Sequence, residues 1–231
     1  MFKKIIDILM KSKISKENNE DNIKFHNLTR PFRALIITDT HGHIRNSLHT
    51  FLEDVENVDI IFTLGDIDFR DHEELKNIKK IKDIPKFGVL GNHDYFNDLK
   101  NNGIESIHGK LITYNGIRIT GMYGSYKYKN TDAPMLTDEE SEQFAALIPE
   151  CDLFLTHDWN KHKEIKNDSH KGLSGITKYI LRCQPKYHIH GHIHENIEEK
   201  IGITTSIGFC RYAYIEFQKD GIHILKKYGD F

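Results

Sequence analysis

Five short apolar runs in this chain each stop at an Asp, Asn or His. Ala34-Leu35-Ile36-Ile37 ends at Thr38-Asp39, 60–64 at Gly65-Asp66, 87–90 at Gly91-Asn92-His93-Asp94, 153–156 at His157, and 187–190 at Gly191-His192. Runs of this length, rich in branched residues, read as strands buried on both faces. The first three are separated by segments of helical spacing: 44–56, with Leu48, Leu52 and Val55 on one side, and 73–81. This βαβαβ order predicts a sheet whose crossover helices lie on its faces. In such sheets ligands bind beyond the carboxyl ends of the strands, which is where the polar residues fall.

The middle of the chain changes character. Residues 111–114 and 117–120 flank Asn115-Gly116, a pair that tolerates the positive φ of a type I′ hairpin turn. Thr137-Asp138-Glu139-Glu140 has the spacing of a capping box and starts a helix through about 148. Residues 177–182 read as a helix, and 204–225 as short strands turning at Lys219-Asp220-Gly221. Residues 1–30 are expected to be an appendage, with an amphipathic helix at 2–10 and a polar linker at 11–22; residues 31–231 form the domain.

Composition narrows the chemistry. Lys+Arg 32 against Asp+Glu 34 gives a formal charge of −2, without the basic excess of a dedicated duplex-DNA binder. The 3 cysteines are far apart and form no C-x-x-C pair, which argues against a disulfide framework or a cysteine zinc site and fits a cytoplasmic chain. No apolar run reaches the roughly 18 residues of a spanning helix, so no membrane role is expected. Histidine is the unusual count, at 15, and His188, His190, His192 and His194 fall close together. Histidine is the commonest side-chain metal ligand. Asp39, His41, Asp66, Asn92, His157, His192 and His194 offer oxygen and nitrogen without thiolate. That set suits Mn, Fe, Zn, Co or Ni, with manganese the leading choice. Seven donors exceed the needs of one four-coordinate ion and suit two divalent ions sharing a carboxylate. Taken singly, Asp39 or Asp66 reads equally as a helix cap, and His41 or His157 as a packed histidine.

The motifs Asp39-Thr40-His41, Gly65-Asp66, Gly91-Asn92-His93-Asp94, Thr156-His157 and Gly191-His192-Ile193-His194 resemble, in order, the five motifs of the calcineurin-like metallophosphoesterases. The resemblance covers residues 34–217. It implies a four-layer αββα sandwich, two central mixed sheets flanked by helices. It also implies that Asp39, His41 and His194 hold one metal, that Asn92, His157 and His192 hold the second, and that Asp66 bridges both. The implied reaction is attack of a metal-bound hydroxide on phosphorus. His93 would assist the leaving group, and Asp94 would orient His93 by a hydrogen bond. His188 and His190 precede the last motif on its strand and are expected to pack or hydrogen-bond.

Substrate signals are thinner. Ser/Thr protein phosphatases carry an arginine before Gly-Asn-His, where this chain has Leu90, and Asp68 comes one position early in the second motif. The compact form fits a phosphodiesterase acting on a small phosphorylated or nucleotide-like substrate. A nuclease acting on DNA or RNA, or a non-catalytic metal-stabilised binding module, is the alternative. Residues 121–129, rich in glycine, tyrosine and lysine, read either as a loop that stacks a base or as a solvated loop. Tyr123 from that loop, His170 from His170-Lys171-Gly172, and His43 are the candidate substrate contacts.

Overall fold

A computed structural model describes residues 24–229 except 163, 166 and 167. The helix and linker expected at 2–10 and 11–22 lie outside the described residues. The elements are β1 (Phe32–Ile37), α1 (Ile44–Leu52), β2 (Ile60–Thr63), α2 (Phe69–Asn77), β3 (Lys86–Gly88), α3 (Asp98–Asn101), β4 (Glu105–Ser106), β5 (Ile112–Tyr114), β6 (Ile117–Met122), β7 (Ser125–Tyr126), β8 (Met135–Leu136), α4 (Asp138–Leu147), β9 (Leu153–Thr156), α5 (Ser174–Cys183), β10 (Tyr187–His190), β11 (Ile197–Ile201), β12 (Thr204–Gly208), β13 (Tyr212–Gln218) and β14 (Gly221–Lys227).

Two six-stranded mixed sheets form the centre, in the orders β14-β13-β1-β2-β3-β4 and β11-β12-β10-β9-β6-β5. In the first sheet β1 to β4 run parallel; in the second β12, β10, β9 and β6 do. The antiparallel pairs lie toward the edges. The alternation within β1 explains its unbroken apolar run. Ala34 and Ile36 face the seam between the sheets, with Phe62, Ile119, Leu155 and Ile189. Leu35 and Ile37 face outward onto Leu48, Phe51 and Leu75 of α1 and α2. On the far side Phe154 meets Ile176, Tyr179 and Ile180 of α5. The result is four layers, helix, sheet, sheet and helix, as the family resemblance implies. Each large side chain buried in the seam contributes about 1.5–3 kcal/mol, which holds the strand ends of both sheets in fixed relation.

Local chemistry sets the boundaries. Asn115 and Gly116 take φ of 48° and 85° in the expected hairpin, and Thr137 and Glu140 make the reciprocal capping box of α4. α2 begins at Phe69, earlier than the apolar spacing suggests, because the Asp68 carboxylate caps it by accepting the N–H of Arg70 at 2.9 Å. The division expected at 30/31 separates residues that pack together. Phe25 and Leu28 belong to the seam, and the Phe25 ring stacks on Tyr187 with centroids 5.5 Å apart.

Candidate metal centre

The loops leaving β1, β2, β3, β9 and β10 meet at the carboxyl ends of the parallel strands, three from one sheet and two from the other. Their approach is close. A Cβ on Gly65 would strike the backbone of Gly91 and the ring of His157, and one on Gly191 would strike the side chains of Thr38 and Asp39. Five of the seven candidate ligands, Asp39, His41, Asp66, His192 and His194, have left-handed φ between 46° and 67°. Non-glycine residues adopt this region at a cost that surrounding structure must offset. Here the close-packed loops impose it and turn the side chains inward.

Two groups of donors result: Asp39, His41 and His194, and Asp66, His157 and His192, the donor atoms of each lying within 4.8 Å of one another. His194 Nε2 is 3.4 Å from Asp39 Oδ1 and 3.4 Å from His41 Nε2. Asp66 Oδ2 stands 3.5 Å from His157 Nε2 and 3.9 Å from His41 Nε2, between the groups. Asn92 Oδ1 joins the second group, 3.1 Å from His157 Nε2.

Surrounding hydrogen bonds aim these donors. Asp39 Oδ2 accepts from the Thr38 hydroxyl at 2.6 Å and the His192 N–H at 2.8 Å. Its Oδ1 is buried, with no hydrogen-bond partner among the described residues. His157 Nδ1 lies 2.8 Å from the Leu64 carbonyl, which can only accept, so Nδ1 carries a proton and Nε2 is the ring nitrogen turned to the centre. His192 is wired the other way. Its Nε2 donates to the Ser169 carbonyl at 2.6 Å, leaving Nδ1 as the donor atom. His188 bonds Thr156 and Ser206 at 2.7 and 2.8 Å, and with His190 it is fully buried, as expected of packed residues.

The electrostatics favour positive charge. Burial would raise the Asp66 carboxyl, but His157 and the His93 N–H hold it well below the usual carboxylate range. Burial would lower His157, but the charges of Asp66 and Asp39 push it up to about 10. A buried carboxylate pair that retains a proton on histidine is a site that attracts cations. With hard oxygen and imidazole donors and a buried carboxylate oxygen that makes no hydrogen bond, each of the two donor groups could hold a divalent cation.

The other expected residues are placed as follows. His93 is exposed, its backbone N–H donating to Asp66 Oδ1 at 2.8 Å and its ring edge-on to His41 at 5.2 Å. Asp94 differs from expectation. Rather than bonding the His93 ring, its carboxylate accepts the backbone N–H groups of Asp66, Ile67 and Gly91 at 2.8, 2.9 and 2.7 Å. Its pKa is pushed up to about 7 by burial and by the charge of Asp66. Three converging donors from two loops outcompete a solvent-facing ring. His170 packs edge-on against His192 at 4.9 Å. His43 stands exposed at the start of α1. Tyr123 is half-buried against Leu90, Leu99 and Ile104, its ring 3.9 Å from His108.

Two polar neighbours of the centre are not among the candidate residues named from the sequence, although Tyr128 lies in the 121–129 segment read there. Tyr128, in the loop after β7, places its hydroxyl 3.5 Å from Asn92 Nδ2. Asp158 is fully buried beside His157 and accepts the N–H groups of Tyr126 and Trp159 at 2.9 Å each. The mixed polarity of 121–129 was the only signal for the first. Adjacency to His157 was the only one for the second.

Residues 32–208 match the family model of the calcineurin-like phosphoesterase superfamily domain. No curated protein matches the chain in sequence. Among solved structures, a protein of Thermus thermophilus is similar over 84% of this chain and 98% of its own, at 14% identity and a TM-score of 0.59. Phosphopantetheinyl hydrolase from Mycobacterium tuberculosis is similar over 80% and 91%, at 10% identity and a TM-score of 0.57. The anchor in the inner membrane complex of Plasmodium is similar over 84% and 83%, at 14% identity and a TM-score of 0.52. At these identities the structural likeness speaks for the fold alone.

Proposed function

The chain belongs to the calcineurin-like phosphoesterase superfamily of metal-dependent phosphoester hydrolases, and from that premise we propose that it is a phosphodiesterase acting on a small or nucleotide-like ester. The observation that carries the reading is the position of Asp66 Oδ2 between His41 and His157. Asp39, His41 and His194 would hold one cation and Asn92, His157 and His192 a second, with Asp66 within reach of both groups. Bound divalent cations supply Lewis acidity to the phosphoryl oxygens and lower the pKa of a water.

The protein's own groups do the rest. His93, exposed and pinned through its backbone to Asp66, gives a proton to the leaving oxygen or stabilises its charge. Asp94 keeps the loops of Asp66 and His93 in one frame. His170 walls the side of His192. Charge supports a diester over a monoester. A diester phosphoryl group is monoanionic, whereas a monoester approaches a dianion near neutral pH. Arg70, whose Nη2 lies 2.7 Å from where a Cβ on Gly42 would stand, is already paired with Asp68 at 3.0 Å. It adds little uncompensated charge for a dianion. Exposed aromatic rings support a planar substituent: Tyr95 at 78% and Phe96 at 57% follow His93-Asp94 directly, and such rings stack bases without demanding sequence.

The test is a matrix of metals against a bis-aryl phosphate, an aryl phosphate and cyclic nucleotides, with elemental analysis of the protein. Faster cleavage of diesters by the manganese-loaded protein is expected. Preference for the aryl monoester overturns the diester reading, and cleavage of none of them overturns the catalytic reading.

A further inference from the structure

Tyr128 stands at the mouth of the centre with a hydroxyl whose hydrogen-bonding is half used. Its oxygen lies 3.5 Å from Asn92 Nδ2, an amide nitrogen that can only donate. The Asn92 amide has its Oδ1 turned to His157, so Nδ2 must face away, and Tyr128 is what it meets. The phenol is therefore the acceptor in this bond, and its own proton remains to be placed. Among the described residues the hydroxyl has no second partner, and the side chain is 36% exposed.

The loop that carries Tyr128 is held from several sides. The N–H of Tyr126 donates to the buried Asp158 at 2.9 Å, the N–H of Lys127 to the Leu136 carbonyl at 2.8 Å, and Lys171 Nζ sits 3.5 Å from the centroid of the Tyr126 ring. The exposed Lys129 places its ammonium 5.2 Å from the centroid of the Tyr128 ring. A proton donor and a cation thus stand together, beside a ligand of the second donor group.

We propose that Tyr128 is a substrate-positioning residue, donating its hydroxyl proton to a non-bridging oxygen of the bound phosphoryl group, with Lys129 adding positive charge at the same edge. The assignment rests on the phosphoesterase reading above. It gives the phosphoryl group a neutral donor beside Asn92, and it selects for a free anionic oxygen in the substrate, which a triester lacks.

The experiment measures inorganic phosphate binding to the manganese-loaded protein by calorimetry, for wild type, Tyr128→Phe and Lys129→Gln, together with manganese affinity and with KM and kcat on a bis-aryl phosphate. Tyr128→Phe should weaken phosphate roughly 10- to 100-fold, the range for a hydrogen bond to a charged group, and raise KM more than it lowers kcat. Manganese affinity should be unchanged, and Lys129→Gln should weaken phosphate by a smaller factor. Unchanged phosphate affinity in Tyr128→Phe overturns the assignment. So does a parallel loss of manganese, which would reduce Tyr128 to a support for Asn92. If wild type itself binds no phosphate and cleaves no ester, the phosphoesterase reading fails, not the placement of Tyr128.

Discussion

The carboxylate of Asp94 accepts the backbone N–H of Asp66 at 2.8 Å and, through the same oxygen, that of Gly91 at 2.7 Å. One side chain thereby ties the loop after β2 to the loop after β3. Asp94→Ala leaves buried N–H groups without an acceptor. We expect it to lower the stability of the metal-free protein by on the order of 3 kcal/mol, read as a drop in the denaturant midpoint. An unchanged midpoint would remove Asp94 from this role.

Asp66 Oδ2 lies 3.9 Å from His41 Nε2 in one donor group and 3.5 Å from His157 Nε2 in the other, and under the proposed reading it alone would serve both cations. Asp66→Asn should therefore deplete both cations, whereas His194→Ala or His192→Ala should each leave one. Elemental analysis after desalting distinguishes these outcomes. Equal stoichiometry in all three variants contradicts a bridging carboxylate. Because histidine donors bind metal only when deprotonated, the manganese affinity of wild type should also weaken in acid.

His93 touches no donor group through its ring nitrogens and contributes only its backbone N–H to Asp66. His93→Ala should keep its metal content while kcat falls about 10²–10⁴-fold. The deficit should shrink as the leaving group becomes more acidic, since a good leaving group needs no proton. A series of aryl esters graded in acidity supplies the slope. A deficit independent of the leaving group would assign His93 to charge stabilisation instead.

His108 supplies a pH dependence away from the centre. Its Nδ1 accepts the Tyr123 N–H at 3.1 Å, its ring stacks on Phe144 at 4.0 Å, and burial lowers its pKa from 6.5 to about 4. The unfolded chain binds this proton at a higher pH than the folded one does. Its contribution is therefore intact above about pH 6.5 and is lost as pH falls toward 4. At about 1.4 kcal/mol per pKa unit, the loss is at most on the order of 3 kcal/mol. His108→Asn keeps an acceptor near the same place and cannot titrate. Its denaturation midpoints should fall less steeply than those of wild type between pH 7 and pH 4.5. Parallel curves would show that His108 does not carry the dependence.

Much of this molecule is written in its local sequence. Apolar runs such as 34–37 announce strands covered on both faces, Asn115-Gly116 and Thr137 with Glu140 specify their turn and cap, and the polar residues at strand ends mark the centre. What stays hidden is set by tertiary contact. Nothing near Phe25 predicts that it packs on Tyr187, far along the chain. Asp94 lies beside His93 in sequence, and the family resemblance implied a bond between the side chains. The choice was made instead by backbone N–H groups of its own loop and of the loop after β2. Tyr123 and Tyr128 share one glycine- and tyrosine-rich segment and one residue type, on either side of β7. Only the fold decides which enters the small cluster around Leu99 and which reaches Asn92.

Each donor group draws on both sheets. Asp39 and His41 follow β1 and are completed by His194 after β10. Asp66 and Asn92 follow β2 and β3 and are completed by His157 and His192 after β9 and β10. A pair of cations seated there would act as a rivet through the two halves of the sandwich. Slippage of one half against the other would spoil both sets of donors together, so cations bound there would add to the apolar seam a second tie between the sheets.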